Sequence, residues 1–399
     1  MKITDIRTMK LTGPDSHGVG GKTRNLSYLL VRVDTDTGIY GIGESEVFLG
    51  VPDSINYIRD VLIGRDPMNI RSMVSEILYG RMPPFEPSMS PTATHLPVIW
   101  GISGIEMALC DIVGKVLNTP VYNLLGGKYR NRILMYVDRS SPALIDELDH
   151  WKLLAKNCIE EGYTHIKFDI DYTAPDVKSD PWNRSISVKQ LNQIVERITV
   201  VRQEVGWDVE IALDCHWHYD IPSAIRIANE LAHLKPFWLE DPTPLTDPDG
   251  LAEVKEKSPI PICVGEMFTA EQFKLFINRK ACDIIHPDVL FTGGIHETRK
   301  IADYADLNYI PMAIHNNGGI VATIAAGHVA AASSNFIGLE CHFQGAPWVK
   351  TLVKDNVGNI ENGYLTLREN PGLGIELNID ACKQYIADGE TFIFYAVAA

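Results

Sequence analysis

The stretch VEIALDCHWHYD, residues 209–220, changes character abruptly in its middle. Its first half is apolar and partly β-branched, which is typical of a buried strand. The strand then ends in acids and imidazoles, namely Asp214, His216, His218 and Asp220. Burying charged groups at the end of a strand costs free energy unless ion-pair or hydrogen-bond partners compensate. The stretch therefore raises the question of what these side chains bind.

The same ending recurs in the next two apolar segments. FWLE ends at Glu240 and CVGE ends at Glu266, and each carboxylate lies 26 residues after the preceding one. This interval matches one strand, one helix and their connections. Because the carboxyl ends of neighbouring parallel strands lie side by side in a barrel, Asp214, Glu240 and Glu266 are expected to converge at one point.

Short apolar segments alternate with amphipathic ones over residues 131–354. The apolar segments carry few polar residues, which indicates strands buried on both faces. About eight strands alternating with helices predict an α/β fold, a (β/α)8-type (modified TIM) barrel. The predicted strands are ILMYVD (133–138), THIKFDID (164–171), VEIALDCH (209–216), PFWLEDP (236–242), IPICVGE (260–266), CDIIHPDV (282–289), YIPMAIH (309–315) and FIGLECH (336–342).

The region before the barrel has a different order. Strand patterns come first and helical patterns follow, which predicts a separate α+β capping domain over residues 1–130. The tail, residues 355–399, returns to short mixed segments and is expected to pack on that domain. Two long stretches that contain Gly and Pro, residues 12–25 and 81–97, are expected to be binding loops or surface loops without a role.

Charge and cysteine usage exclude several classes of function. The net charge is −15 and no block of Lys and Arg stands against it, which argues against nucleic acid and anionic membranes as partners. The seven cysteines are scattered singly without CxxC spacing, which favours reduced thiols in a cytoplasmic protein. The sequence predicts neither a secretion signal nor a membrane span.

The three strand-end carboxylates predict a metal site. Converging carboxylates repel one another and do not all stay ionised unless a positive charge lies between them. A hard, oxygen-seeking divalent cation meets this need, and Mg²⁺ is the natural choice. The alternative is that each acid merely caps the helix that follows it, but three acids in successive units at one spacing favour the metal.

The later strands add a second group of polar residues. IIHPD ends in Asp288, PMAIH ends in His315 and GLE ends in Glu340. Asp288 and His315 end adjacent strands, so the carboxylate can hold one ring nitrogen and leave the other free as a base. Glu340 is either a hydrogen-bond donor to an oxyanion, if its pKa is raised, or an ordinary surface acid.

These motifs, KFD, ALDCH, WLEDP, VGE, IHPDV, IHNNGG and GLE, resemble those of the enolase superfamily, and the Asp–His pair resembles its mandelate racemase subgroup. The resemblance covers nearly the whole chain. It implies that Asp214, Glu240 and Glu266 bind Mg²⁺. It further implies that His315, oriented by Asp288, removes the proton α to a carboxylate, and that Glu340 stabilises the enediolate by hydrogen bonding.

Two positions depart from the racemase pattern. Racemases of the subgroup carry Lys-x-Lys at the second barrel strand, whereas this chain has Lys167-Phe168-Asp169. In addition, His216 lies two residues after Asp214 and so points to the same side. This arrangement resembles that of galactonate- and mannonate-type acid-sugar dehydratases, in which such a histidine protonates the departing hydroxyl.

The predicted function is therefore Mg²⁺-dependent dehydration of a sugar acid to a 2-keto-3-deoxy acid. In this prediction Lys167 contacts the substrate carboxylate or enediolate, while Asp169 binds a distal hydroxyl or neutralises Lys167. The alternatives are a racemase, epimerase or cycloisomerase that uses the same enediolate, and a non-catalytic protein that binds a sugar acid. A further alternative is that His216 has no catalytic role, or that it only positions the residues that bind the substrate and the metal.

Several further expectations concern the surroundings of the site. His218, His286 and His342 are expected to be structural or to contact the distal substrate. The segment DPWNR, residues 180–184, either supplies an arginine to the sugar or starts a helix. Substrate specificity is assigned to the loops Pro14–Lys22 and Phe48–Asp53, which could close over the barrel. The resemblance also implies a symmetric homo-oligomer.

Overall fold

The chain begins with an antiparallel sheet of three strands. The computed structural model describes residues 1–16, 24–79, 96–139, 148–171, 182–355, 358–390 and 392. Neighbouring strands pair in the order β1-β2-β3, with Leu11 opposite Tyr28 and Val31 opposite Gly43. The strands are β1 (Ile3–Asp15), β2 (Arg24–Thr35) and β3 (Tyr40–Ser45).

Helices cover one face of this sheet. The third, α3, packs closely against β3: a Cβ at Gly41 or Gly43 would lie 1.9 Å from the carbonyl oxygen of Ala108 or Gly104. Only glycine permits this approach. The sheet and helices confirm the predicted N-terminal α+β domain. The helices here are α1 (Val51–Leu62), α2 (Ile70–Leu78), α3 (Leu96–Val116) and α4 (Val121–Leu124).

Eight parallel strands of the described chain close into a barrel. Each pairs with the next in sequence, and β11 pairs back with β4 through Leu339 and Met135. This closure confirms the predicted (β/α)8-type barrel. The strands are β4 (Ile133–Asp138), β5 (His165–Asp169), β6 (Glu210–Asp214), β7 (Trp238–Glu240), β8 (Ile262–Val264), β9 (Ile284–Ile285), β10 (Met312–Ile314) and β11 (Phe336–Cys341).

The helices between the strands form the outer layer of the barrel. Local capping explains several of their starts: Ser187 and Gln190 form a capping box at α6, and Asp220 accepts a hydrogen bond from the amide of Ser223 at α7. The helices are α5 (Leu148–Glu160), α6 (Val188–Val205), α7 (Ile221–Leu231), α8 (Pro248–Lys257), α9 (Ala270–Asn278), α10 (Ile295–Asp306), α11 (Ile320–Ala332) and α12 (Trp348–Thr351).

The C-terminal segment contacts both halves of the chain. Its hairpin, β12 (Ile360–Glu361) and β13 (Tyr364–Leu365), extends the barrel sheet antiparallel to β4. After α13 (Ile379–Gln384), the carbonyl of Tyr385 accepts a hydrogen bond from the amide of Thr12 on β1. The division of the chain at residues 130 and 354 stays a prediction.

Helix α3 is long and apolar enough to cross a membrane by length and composition, but 83% of its most apolar window is buried inside the fold. Burial of this kind is expected for the central helix of a packed core. The seven cysteines are buried and free.

A buried histidine links the barrel to the C-terminal segment, and from its surroundings we predict that the stability of the fold depends on pH. His328 accepts a hydrogen bond from the amide of Tyr122 at Nδ1, and its Nε2 lies 3.2 Å from the carbonyl oxygen of Leu373. Burial lowers the pKa of His328 from 6.5 to about 4. The folded protein therefore keeps it neutral, whereas the unfolded chain takes up a proton below pH 6.5.

We expect the neutral form of His328 to stabilise the fold fully above pH 6.5. As the pH falls to 4, the free energy of unfolding should decrease by about 3 kcal/mol through this group. Urea unfolding of the wild type and of His328→Gln at several pH values measures the effect. The free energy of unfolding should fall less on acidification in the variant. Parallel pH profiles would show that His328 does not carry this dependence.

Candidate active site

Three carboxylates meet at the carboxyl end of the barrel strands. Asp214 ends β6, Glu240 ends β7, and Glu266 follows β8 by two residues. Each offers one oxygen, these oxygens lie within 4.8 Å of one another, and all three residues are buried. The convergence that the 26-residue spacing predicted is present. A buried set of oxygen donors fits a hard divalent cation such as Mg²⁺.

Lys167 on β5 lies among these carboxylates. Its Nζ is 3.0 Å from Oδ2 of Asp214, 2.9 Å from Oε1 of Glu240 and 2.7 Å from Oε1 of Glu340. Burial opposes the charge on Lys167, but the surrounding carboxylates outweigh burial and raise its pKa well above 10.5. Lys167 is therefore a fixed positive charge at the centre of the site.

His286 supplies a second contact to the cluster. Its Nε2 lies 3.1 Å from Oε1 of Glu240, and the indole of Trp238 donates to the other oxygen of Glu240 at 2.8 Å. Burial opposes ionisation of Glu240, but His286 and Lys167 outweigh it and lower its pKa. These contacts hold Glu240 ionised, as a metal ligand must be.

Asp288 and His315 form the predicted pair. His315 Nδ1 lies 2.7 Å from Oδ2 of Asp288, and backbone pairing between the two residues fixes this geometry. The other ring nitrogen, Nε2, lies 3.1 Å from Oε2 of Glu266 and faces the carboxylate cluster. Burial opposes protonation of His315, but Glu266 and Glu340 outweigh it and raise its pKa. The ring is thus oriented by one carboxylate and aimed at the cluster.

His216 lies on the other side of the cluster. Its Nδ1 is 3.3 Å from Oδ1 of Asp171, and its Nε2 is 3.7 Å from Oδ2 of Asp214. The backbone of His216 has a φ of 41°, and its amide donates to Oδ1 of Asp214 at 3.0 Å. This turn directs the imidazole back over the strand end, so Asp171 orients a ring that faces the site.

Asp169, predicted to bind substrate, is buried with 3% exposure at the end of β5. Its Oδ1 has no hydrogen-bond partner among the described residues. Burial and the charge of Asp138 raise its pKa well above 3.8. Within the described chain Lys167 contacts other carboxylates, those of Asp214 and Glu240 among them. Asp169 is thus not an ion-pair partner of Lys167 in the described chain, and its role in binding the substrate stays a prediction.

Glu340 is fully buried, so the surface-acid alternative is wrong. It accepts a hydrogen bond from the hydroxyl of Tyr136 at 3.1 Å and from the amide of Asn316 at 3.2 Å. Burial opposes its ionisation, but Lys167 and His315 outweigh burial and lower its pKa well below 4.5. Glu340 therefore accepts hydrogen bonds and holds Lys167. The prediction that it donates a hydrogen bond to an oxyanion required a raised pKa, and the pKa of Glu340 is lowered instead.

Asp138 and His342 complete the floor of the site. His342 Nε2 lies 3.1 Å from Oδ2 of Asp138 and 3.2 Å from Oε1 of Glu340. Asp138 is absent from the residues predicted from the sequence, although it ends β4 as the other acids end their strands. The same strand-end rule could have found it. His342 follows Glu340 by two residues, as His216 follows Asp214, and this parallel is a usable signal.

A cavity of about 270 Å³ opens above these residues. From the barrel it is lined by Asp138, Lys167, His216, Glu266, His315 and His342, and from the N-terminal domain by Glu46, Phe48 and Trp100, with Met267, Phe291 and Asn317 between them. His218 is not part of this lining, and its ring packs on Tyr219 at 5.1 Å. The cavity size suits a small polar molecule.

A larger cavity of about 540 Å³ lies between β3, the end of α3 and the C-terminal segment. It contains none of the strand-end residues, and its lysines and arginine are paired with acids: Lys115 with Asp111, Lys354 with Glu376 and Arg368 with Asp355. The smaller cavity above the carboxylates is therefore the candidate active site.

Two segments predicted to contact the substrate lie partly outside the described residues. These are residues 17–22 of the Pro14–Lys22 loop and residues 180–181 of the DPWNR segment. Arg184 is described, and it donates to the carbonyl of Trp217 at 2.6 Å. Its guanidinium thus supports the turn that carries His216.

Together, this fold and this site define a barrel enzyme of the enolase superfamily. Residues 151–381 match the model of the "Enolase C-terminal domain-like" family, and residues 7–126 match that of the "Mandelate racemase / muconate lactonizing enzyme, N-terminal domain". The chain belongs to the mandelate racemase/muconate lactonizing enzyme family, as its motifs indicated.

Similar proteins are named as dehydratases. The chain is 36% identical to D-xylonate dehydratase of Haloferax volcanii, over 98% of this chain and 90% of that protein. It is 28% identical to D-gluconate/D-galactonate dehydratase of Picrophilus torridus, over 96% and 95% of the two chains. A crystal structure of a mandelate racemase/muconate lactonizing enzyme-like protein from Rubrobacter xylanophilus superposes with a TM-score of 0.87, at 33% identity, over 98% and 99% of the chains.

Proposed function

We propose that this protein is a Mg²⁺-dependent acid-sugar dehydratase that produces a 2-keto-3-deoxy sugar acid. The observation that carries the proposal is that two imidazoles, His315 and His216, line one small cavity together with Lys167. Dehydration needs a base for the α-proton and an acid for the leaving hydroxyl. The names of the similar proteins, which act on xylonate, gluconate, galactonate and arabinonate, support the same reaction.

The first half of the reaction removes the α-proton. In the proposal Asp214, Glu240 and Glu266 hold Mg²⁺, which when bound stabilises the negative charge that develops on the substrate carboxylate. His315 Nε2 would take the proton as a neutral imidazole, because Glu266, whose contact at 3.1 Å raises the pKa of the ring, would bind the cation instead. Asp288 holds Nδ1 at 2.7 Å and fixes the ring. Lys167 places its positive charge beside the developing enediolate. Glu340 holds Lys167 in position through its 2.7 Å contact.

The second half expels the β-hydroxyl. The electron pair of the enediolate forms the new carbon–carbon double bond as the bond between the β-carbon and oxygen breaks. His216 donates its proton to the departing oxygen, so that water leaves rather than hydroxide. The resulting enol then takes up a proton at the β-carbon, loses the proton of its α-hydroxyl group and becomes the 2-keto-3-deoxy acid. Asp171, 3.3 Å from Nδ1, orients His216 for this transfer.

A racemase or epimerase needs a base on each face of the α-carbon. At the position of the second lysine of Lys-x-Lys stands Asp169, a buried acid whose pKa is raised. The carboxyl group of an aspartate, whose ordinary pKa is about 3.9, is a much weaker base than the lysine amine that it replaces. This residue is therefore better suited to bind a hydroxyl, which favours dehydration over simple proton transfer.

A screen of purified protein with Mg²⁺ against aldonic and aldaric acids tests the proposal. The carbonyl group of a 2-keto-3-deoxy product is detected with a carbonyl reagent. We expect at least one acid to give product in an amount equal to the acid consumed. Isomerisation of an acid without carbonyl formation would instead establish a racemase or epimerase, and binding without turnover would favour a non-catalytic relative.

Replacing His216 with asparagine should separate the two halves of the reaction. Loss of the acid is expected to lower kcat for dehydration by about 10²- to 10⁴-fold. Exchange of the α-proton with D2O should continue, because His315 and Asp288 are untouched. Product formation and α-deuteration are followed in one NMR experiment. Equal loss of both would show that His216 does not act at the elimination step.

The proposal extends to the surroundings of the enzyme. We propose a cytoplasmic protein that assembles as a symmetric homo-oligomer and whose partner is a small sugar acid. The free cysteines support the cytoplasmic setting, the net charge of −15 argues against nucleic acid as a partner, and the resemblance to the enolase superfamily supports the oligomer. Light scattering coupled to size-exclusion chromatography determines the oligomeric state.

A further inference from the structure

The last proton transfer of the proposed reaction has no residue assigned to it. After the β-hydroxyl has departed, the enol receives a proton at the β-carbon and becomes the 2-keto-3-deoxy acid. At that stage His315 holds the α-proton, and His216 has given its own proton to the departing water. If the enzyme rather than bulk water completes the reaction, a third acid must line the cavity.

A second pair of an aspartate and a histidine lies beside His315. His342 Nε2 is 3.1 Å from Oδ2 of Asp138, and both residues line the cavity. His342 comes two residues after Glu340 at the end of β11, so the two side chains point to the same side of the strand. The side chain of His342 is 18% exposed, whereas that of Asp138 is buried. The pair thus repeats the arrangement of Asp288 and His315, and the proposed reaction does not yet use it.

The surroundings of His342 favour its protonated form. Burial opposes the charge, but Asp138 and Glu340 outweigh burial and raise the pKa of His342 above 6.5. Both carboxylates contact Nε2, that of Glu340 at 3.2 Å. Neither of them belongs to the three carboxylates assigned to the cation, so these contacts do not compete with metal binding. Nδ1 of His342 has no hydrogen bond within the described chain, which leaves this nitrogen for a molecule in the cavity.

The place of His342 around the barrel suits an acid for the β-carbon. The three metal-binding carboxylates stand at the ends of β6, β7 and β8, whereas His342 follows β11, which closes the barrel against β4. The ring centroid of His342 is 6.2 Å from that of His315. A substrate that has its carboxylate on the cation and its α-carbon at His315 therefore extends its β-carbon over the side of the barrel that carries His342. His216, which follows β6, lies on the other side of the cavity.

We propose that His342, oriented by Asp138, is the catalytic acid that protonates the β-carbon of the enol, on the face opposite to the departed hydroxyl. This role rests on the proposed dehydratase function. The electron pair of the enol double bond forms the new bond between the β-carbon and hydrogen. As the carbonyl group forms, the α-hydroxyl loses its proton to the neutral imidazole of His216. Solvent then takes the α-proton from His315 and returns one proton to His342, so the net change is the loss of one water molecule.

The configuration at C3 of the product formed in D2O tests this role. The two hydrogens of the C3 methylene group give separate NMR signals, so the position of a single deuterium is read directly. The wild type with Mg²⁺ and D-xylonate or D-gluconate should place one deuterium at C3, in one configuration, on the face opposite to the lost hydroxyl. His342→Gln keeps a hydrogen-bond donor near Asp138 but cannot deliver a proton. It should release the enol, which water protonates on both faces, so that both C3 isomers form in comparable amounts.

The rates distinguish a catalytic acid from a structural residue. In His342→Gln the consumption of the acid should fall by less than about 10-fold, because His315 and His216 still perform the earlier steps. The carbonyl product should appear after a lag, while free enol accumulates in solution. Asp138→Asn is a second variant and should also give both isomers, because it removes the carboxylate that orients the ring. His233→Gln, on the exposed surface, is the matched control and should keep the wild-type configuration.

Dehydration by the wild type with mixed configuration at C3, with deuterium on the face of the lost hydroxyl, or with the α-proton carried over to C3 would overturn the role of His342 and leave the proposed function intact. An unchanged configuration in His342→Gln would do the same. Absence of dehydration with every acid would refute the proposed function. Exchange of the C3 protons of an added 2-keto-3-deoxy acid with D2O would then decide the role of His342 alone. Exchange at one position that is lost in His342→Gln supports it, and no exchange by the wild type, or unchanged exchange in the variant, overturns it.

Discussion

His315→Asn is expected to lower kcat by about 10³- to 10⁴-fold, because it removes the base that takes the α-proton. Asp288 holds Nδ1 of His315 at 2.7 Å, so Nε2 faces the cluster and is in place to accept that proton. Asparagine keeps a polar group of similar reach but cannot accept the proton. Both dehydration and exchange of the α-proton with D2O should be lost, which distinguishes this variant from His216→Asn.

The control for this substitution is His233→Asn, which changes a histidine on the outer surface whose Nδ1 contacts the carbonyl of Glu230. It should leave kcat and α-proton exchange unchanged. Thermal unfolding of both variants checks that they fold. Retention of α-proton exchange in His315→Asn would contradict the assignment of the base.

Removing the divalent cation is expected to abolish turnover. Chelation by EDTA should reduce kcat/KM to background, and Mg²⁺ should restore it. Asp214→Asn should weaken Mg²⁺ binding on the order of 100-fold and lower turnover in parallel, because a neutral amide replaces one of the three converging carboxylates. Isothermal titration of Mg²⁺ gives the affinity.

Asp249→Asn, in the first turn of α8, is the matched control, since its carboxylate pairs with Arg279 outside the site. Its Mg²⁺ affinity and turnover should equal those of the wild type. Full activity in Asp214→Asn together with lost Mg²⁺ binding would refute the role of the metal.

The sequence was sufficient to predict the barrel and the residues at its strand ends. Strands buried on both faces leave an apolar signature, and Asp214, Glu240 and Glu266 interrupt it at an interval of 26 residues. For this reason Asp214, Glu240 and Glu266 could be placed together before the structure was known. The same rule accounts for Asp288 beside His315.

Properties that depend on several chain segments at once could not be predicted. The lowered pKa of Glu340 arises from Lys167, His315 and His342, which belong to three different strands or strand ends. The place of Glu46 in the cavity depends on the anchoring of β3 to α11 by Glu44. A periodic pattern of apolar residues carries no information about contacts between residues that are more than 200 positions apart.

The most direct test of the dehydratase proposal is a single NMR time course of the wild-type protein with Mg²⁺ and D-xylonate or D-gluconate in D2O. We predict that the acid disappears, that a 2-keto-3-deoxy acid with deuterium at C3 replaces it, and that EDTA stops the reaction. Recovery of the acid with deuterium at C2 and no loss of water would contradict dehydration and establish proton transfer alone.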